Sequence, residues 1–177
     1  MKRIRTLVAM TMLAWLPAAA MADTPAETDQ AKFVRLTQHL ERYPLDPDAT
    51  PMRAWLLDWA VKTPDVQVLM CDFLDPAADL RSHYGGLLLM QMLYGNAAWQ
   101  IVHPGAHTDV VAPQIAGVRS ALKAYAEISI ERPEAQNAEF DALALAEQRG
   151  TLHATLAPRI LQQCSKDDAA KTIEGSP

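Results

Sequence analysis

Two histidines and an aspartate in one short stretch are the residues best suited to metal chemistry. Imidazole and carboxylate groups are common zinc ligands, and a zinc-bound water can hydrolyse a substrate. His103 and His107 are four residues apart, a spacing that brings two side chains together only on a helix, and Asp109 follows. Pro104 and Gly105 predict a loop instead, in which capping and turn formation explain the same residues. We therefore predict no metal and no cofactor, and keep a metal-assisted hydrolase at His103, His107 and Asp109 as an alternative function.

Other catalytic patterns do not identify a reaction. The chain has no serine in the Gly-x-Ser-x-Gly turn that exposes a hydrolase nucleophile. Ser82 and His83 are adjacent, which is a poor geometry for a base that must reach its neighbour's hydroxyl. Gly85 and Gly86 lack the lysine of a phosphate-binding loop. The sequence leaves enzymatic activity uncertain and favours a non-catalytic protein.

The two cysteines, Cys71 and Cys164, are the only ones in the chain. They lack the Cys-x-x-Cys spacing of redox and metal-binding thiols. An even pair in an oxidising compartment is typical of a disulfide. We predict that Cys71 and Cys164 are bonded.

The first 22 residues have the layout of a cleaved secretory signal. Lys2, Arg3 and Arg5 precede an apolar run, and Ala20 and Ala22 supply the small residues before a cleavage site. We therefore predict a signal peptide over 1–22 and a periplasmic or secreted mature protein. The 177-residue chain has 16 basic and 21 acidic residues and a net charge of −5. This balance lacks the basic footprint of a nucleic-acid-binding protein.

The apolar residues recur at helical spacing, and no stretch shows the sustained alternation typical of strands. We predict an all-α bundle of six or seven helices, forming one domain over 23–164 and followed by a disordered tail over 165–177. The third helix is expected at 66–73, the fourth at 77–102, and a break at Pro158. The disulfide would then join the third helix to the last one.

A run of residues without charge, 85–102, meets the crude criterion for a membrane span. Gln91, Asn96 and Gln100 interrupt it with polar groups that point in several directions around a helix. A buried core helix explains the run better, so we predict no transmembrane span after signal cleavage.

One segment resembles the second helix of a tetratricopeptide repeat. That helix carries a small residue, an aromatic residue, a second small residue and a terminating proline at fixed spacing. The same spacing is found here for Ala121, Tyr125, Ile128 and Pro133, although Ile128 replaces the usual alanine. Residues 94–98 faintly resemble the first helix, at a separation longer than the family's. The resemblance covers one unit and implies a helical hairpin that binds peptides or proteins. The alternative is an ordinary helical hairpin.

The aromatic residues give the remaining signal. Trp55 and Trp59 share one helix face, where core packing is the favoured explanation. An exposed aromatic ridge would instead mark an interaction site. From these patterns we expect an exported, non-catalytic protein-binding module, such as an adaptor, inhibitor or immunity-type protein, or else a structural envelope component. The expected partner is a protein or peptide, and the contact candidates are Tyr84, Trp99 and Tyr125.

Overall fold

The computed structural model of the protein describes residues 26–75, 78–106 and 108–174, with side chains described as far as Cys164. The predicted signal peptide over 1–22 lies outside these residues. Within them the protein is all-helical and has no strand, which confirms the predicted fold class. The six helices are Asp29–Arg42 (α1), Ala49–Lys62 (α2), His83–Val102 (α3), Val111–Glu131 (α4), Ala138–Gln148 (α5) and Leu152–Glu174 (α6).

The antiparallel pair α3 and α4 forms the centre of the bundle. Two glycines let these helices approach closely, because a Cβ on Gly95 would lie 2.3 Å from Ser120 Cβ. A Cβ on Gly117 would lie 2.5 Å from the carbonyl oxygen of Met92. Such distances are shorter than any ordinary contact, so both positions require glycine at this spacing of the helices. The other helices then pack around this pair.

Two apolar clusters fill the bundle, one on each side of the α3–α4 pair. The first joins α1, α2 and α3 around Phe33, Leu56 and Tyr94. The second joins α4, α5 and α6 around Phe140 and Leu156. The predicted aromatic stripe of α2 belongs to the first cluster, since the rings of Phe33 and Trp59 lie 4.9 Å apart.

The helices begin where side chains can satisfy their first free amides. Thr28 Oγ1 accepts from the N–H of Ala31 at the start of α1. Ser82 Oγ accepts from the N–H of Gly85 at the start of α3, which therefore begins at His83 and not at residue 77 as predicted. In α6, Pro158 lies inside a continuous helix, so the expected break there is wrong. Helix α6 continues to Glu174, within the range predicted to be a disordered tail, and the disorder over 165–177 stays a prediction.

The largest error concerns the third predicted helix. Residues 64–73 contain neither helix nor strand, and we call them the extended segment. Its apolar side chains contact both clusters, with Val66 and Val68 on the first and Cys71 and Phe73 on the second. The disulfide is present as predicted, with 5.1 Å between its Cα atoms. It joins α6 to this segment and not to a helix.

No helix among the described residues is long and apolar enough to cross a membrane.

Candidate functional site

The extended segment is held against α3 and α4 by carboxamide side chains. Gln100 Nε2 donates to the backbone carbonyl of Gln67 at 3.0 Å, and Gln100 Oε1 accepts from the N–H of Gln67 at 2.9 Å. Gln114 Nε2 donates to the carbonyl of Leu69 at 2.7 Å. These bonds replace the neighbouring strand that extended backbone normally needs. Two helices thus bind a length of main chain through side-chain amides.

Beside these contacts lies an open cleft of about 380 Å³, which we call the amide cleft. It is bounded by the extended segment, the end of α3, the loop residues 106 and 108–110, and the start of α4. Asn96 and Gln114 are only 2% and 6% exposed, yet both line it. Of the described residues around the cleft, only Asp109 carries a charge. The cleft is therefore a polar site of low charge.

A second opening lies on another face of the same helix pair, between α1, α3 and α4. It has a volume of about 300 Å³, and we call it the Trp99 groove. The groove is wide because three of the positions that line it have no side chain or only a methyl group, namely Gly95, Ala98 and Ala116. Val102, which is 59% exposed, stands at one end. The groove is therefore a surface with apolar residues open to solvent.

Trp99 is half-buried in this groove and fixed by its neighbour His103. The two rings are stacked with centroids 4.3 Å apart, and His103 Nδ1 donates to the Trp99 carbonyl oxygen at 2.8 Å. The carbonyl can only accept, so this bond sets which ring nitrogen carries the proton. A tryptophan held in one orientation loses little conformational entropy when a partner covers it.

A polar network joins the three helices that form the groove. Gln91 Nε2 donates to Ser120 Oγ at 2.9 Å, and that hydroxyl donates to Glu41 Oε1 at 2.8 Å. Lys123 Nζ pairs with the other oxygen of Glu41 at 2.8 Å. The network links α1, α3 and α4, and its Glu41 and Lys123 line the groove together with Arg119. The groove therefore combines an apolar centre with a charged edge.

The three partner-contact candidates do not form one surface. Trp99 lies at the end of α3 in the groove, whereas Tyr84 lies at the beginning of that helix and its hydroxyl donates to Glu134 Oε1 at 3.2 Å. Tyr125 is 4% exposed and donates to Asp141 Oδ1 at 2.7 Å. Burial, together with this bond, raises the pKa of Tyr125. Tyr125 is a core residue, and only Trp99 belongs to a groove.

The structure gives His103 and Asp109 other partners. His103 Nδ1 is bound to the Trp99 carbonyl, and Asp109 Oδ1 accepts from the N–H groups of Val111 and Ala112. No group of three acidic, histidine or cysteine residues in the described ranges could hold a metal ion. His107 lies outside the described residues, so the metal-binding alternative stays a prediction.

The role of the buried amides is not apparent from the sequence. Asn96 and Gln100 were interpreted only as residues that interrupt an apolar helix, whereas Gln100 Nε2 also donates to Asn96 Oδ1 at 2.7 Å. Their spacing of four residues on an uncharged helix was the available signal, because buried amides require partners. Nothing in the sequence showed that Gln67 would be that partner.

Comparisons of the chain with protein-family models, curated proteins and solved structures found no match.

Proposed function

We propose that the protein is an exported, non-catalytic protein-binding module that takes an apolar segment of a protein partner into the Trp99 groove. The half-buried, oriented Trp99 carries this proposal. Tryptophans in partly enclosed grooves contribute disproportionately to protein–protein binding, because a partner can desolvate a large rigid ring at little entropic cost. The disulfide supports export, since such bonds persist in oxidising compartments.

The surroundings of Trp99 fit this role. Small residues at 95, 98 and 116 leave room for a partner side chain, and Val102 extends the apolar area. Glu41 and Lys123 on the rim provide polar contacts around a desolvated centre, which is the usual anatomy of an interface. The helical hairpin of α3 and α4 that forms the groove also contains the segment that resembles a tetratricopeptide helix.

The test compares partner capture by the wild-type protein, Trp99→Ala and Ile130→Ala. Ile130 is an exposed apolar residue on α4 outside the groove, so its truncation is a matched control. Bait protein is incubated with extract of the exported fraction, and captured proteins are identified and then purified. We expect Trp99→Ala to weaken direct binding of the purified partner at least roughly tenfold, and Ile130→Ala to leave it unchanged.

Folding of each variant is checked by thermal unfolding, and binding is measured well below the transition of the less stable one. Equal affinity of the wild-type protein and folded Trp99→Ala would contradict the proposed placement. If none of the captured proteins binds the purified wild-type protein directly, the binding function itself is contradicted.

A further inference from the structure

The amide cleft contains two polar atoms that no group in the described part of the chain satisfies. The Leu69 carbonyl can only accept, so the bond it receives fixes Gln114 with its nitrogen toward Leu69 and Oε1 turned away. Gln100 donates to Asn96 Oδ1, which fixes Asn96 with Nδ2 turned away. Neither Gln114 Oε1 nor Asn96 Nδ2 has a hydrogen-bond partner among the described residues.

Both free atoms belong to side chains that line the cleft. Two side-chain atoms of the described residues are fully buried and have no hydrogen-bond partner, and these are the hydroxyl oxygens of Thr37 and Ser129. Asn96 Nδ2 and Gln114 Oε1 are not among them, although their residues are nearly buried and line the cleft. The cleft therefore offers one hydrogen-bond donor and one acceptor, each held by a fixed side chain.

The charge of the cleft restricts its ligand. Helix α4 begins there, but Asp109 already accepts the N–H groups of Val111 and Ala112, and Pro113 has none. The helix end thus has no free amide in these three residues for an anion. Apart from the Asp109 carboxylate, the cleft has no described group that would select a cation. A neutral ligand with a donor and an acceptor fits it best.

We propose that the amide cleft is a binding site for a neutral amide group. The carbonyl of that group accepts from Asn96 Nδ2, and its N–H donates to Gln114 Oε1. Beside the cleft, the side-chain amide of Gln100 already binds main chain, because it pairs with the N–H and the carbonyl of Gln67, which belong to two successive peptide groups. Such an amide can come from an extended peptide backbone or from the acetamido group of a sugar. This site is separate from the Trp99 groove and does not depend on the proposed function.

The experiment titrates nitrogen-15-labelled protein with N-acetyl-trialanine amide, and separately with N-acetylglucosamine, while NMR follows the side-chain amide signals of Asn96 and Gln114. We expect both signals to shift saturably with at least one probe. Tighter binding of the peptide would identify main chain as the source of the amide, and tighter binding of the sugar would identify the acetamido group. The same peptide methylated at its amide nitrogens should bind roughly tenfold more weakly, because it cannot donate to Gln114 Oε1.

A protein variant tests the other half of the site. Asn96→Asp keeps an oxygen to accept from Gln100 but removes the free N–H, and it should weaken binding roughly tenfold. Gln162→Glu makes the same change of charge at an exposed position of α6 and should leave binding unchanged. If Asn96→Asp fails to fold, the methylated peptide on the wild-type protein decides. The proposal is overturned if neither probe gives a saturable shift, or if methylation does not weaken peptide binding.

Discussion

Buried polar side chains determine much of the chemistry of this protein at the scale of single residues. Tyr94 lies inside the first apolar cluster, and its hydroxyl donates to the carbonyl of Arg53 at 3.0 Å. Desolvation raises the pKa of Tyr94 to about 12, since the phenolate would lose its hydration. The guanidinium of Arg53 opposes this shift only partly, and burial lowers the pKa of Arg53 itself.

This raised pKa predicts a loss of stability in alkaline solution. Below pH 10 the tyrosine is neutral in the folded and unfolded chain, and its contribution is fully present. Between pH 10 and about 12 the unfolded chain ionises first, so folding should lose about 2–3 kcal/mol. Urea unfolding across this range measures the loss, and Tyr94→Phe is the control that should lack most of it. A loss of the same size in Tyr94→Phe would contradict the assignment to this residue.

At the scale of elements, glycine has opposite effects at different positions of α3. Gly86 has open space around it, because a Cβ there would lie 4.0 Å from its nearest neighbour. Gly95 faces Ser120 across the contact with α4, where a Cβ would overlap the serine. The same substitution therefore tests helix propensity at one position and helix packing at the other.

We expect Gly86→Ala to stabilise the protein by up to about 1 kcal/mol, because alanine loses less backbone entropy in a helix. Gly95→Ala gains the same propensity but forces α3 and α4 apart, and it should destabilise by roughly 1–3 kcal/mol. Chemical unfolding of both variants against the wild type measures the difference. Stabilisation of equal size at both positions would show that the two helices can separate freely.

The extended segment shows what periodicity could not predict. Val66, Leu69, Met70 and Phe73 have helical spacing, but a short apolar run fits a helix and an extended chain equally well. Its β-branched valines, Pro64 at its start and Pro76 beyond its end favoured the extended form. The decisive partners of its backbone are the side chains of Gln100 and Gln114, far away in sequence. Only the assembled helix pair brings them together.

At the scale of the whole molecule, the sequence predicted the fold class and the disulfide better than it predicted the candidate site. The all-α class followed from the spacing of apolar residues and the disulfide from the cysteine count, and both are confirmed. The candidate site depends on which helix faces meet, and the sequence alone does not determine how the helices pack. Tyr125 and Trp99 had equal standing as aromatics in the sequence, yet packing buries one and leaves the other in a groove.

The disulfide acts at the scale of the whole molecule, because it joins the extended segment to the last helix. Its cysteines are 93 residues apart, and closing so long a loop should stabilise the fold by about 4–5 kcal/mol through the entropy of the unfolded chain. That is a large part of the roughly 5–15 kcal/mol typical of a domain. Thiol titration of denatured, unreduced protein should find no free thiol.

The double variant Cys71→Ser with Cys164→Ser should unfold at a much lower urea concentration than the wild type. The extended segment should also lose protection first, since its backbone at Gln67 and Leu69 is then held by the side-chain amides of Gln100 and Gln114 without the disulfide. Hydrogen exchange at the Gln67 amide measures this local loss, with amides in the middle of α4 as the internal reference. An unchanged urea midpoint, or uniform loss of protection across both regions, would show that the bond does not anchor the segment in this way.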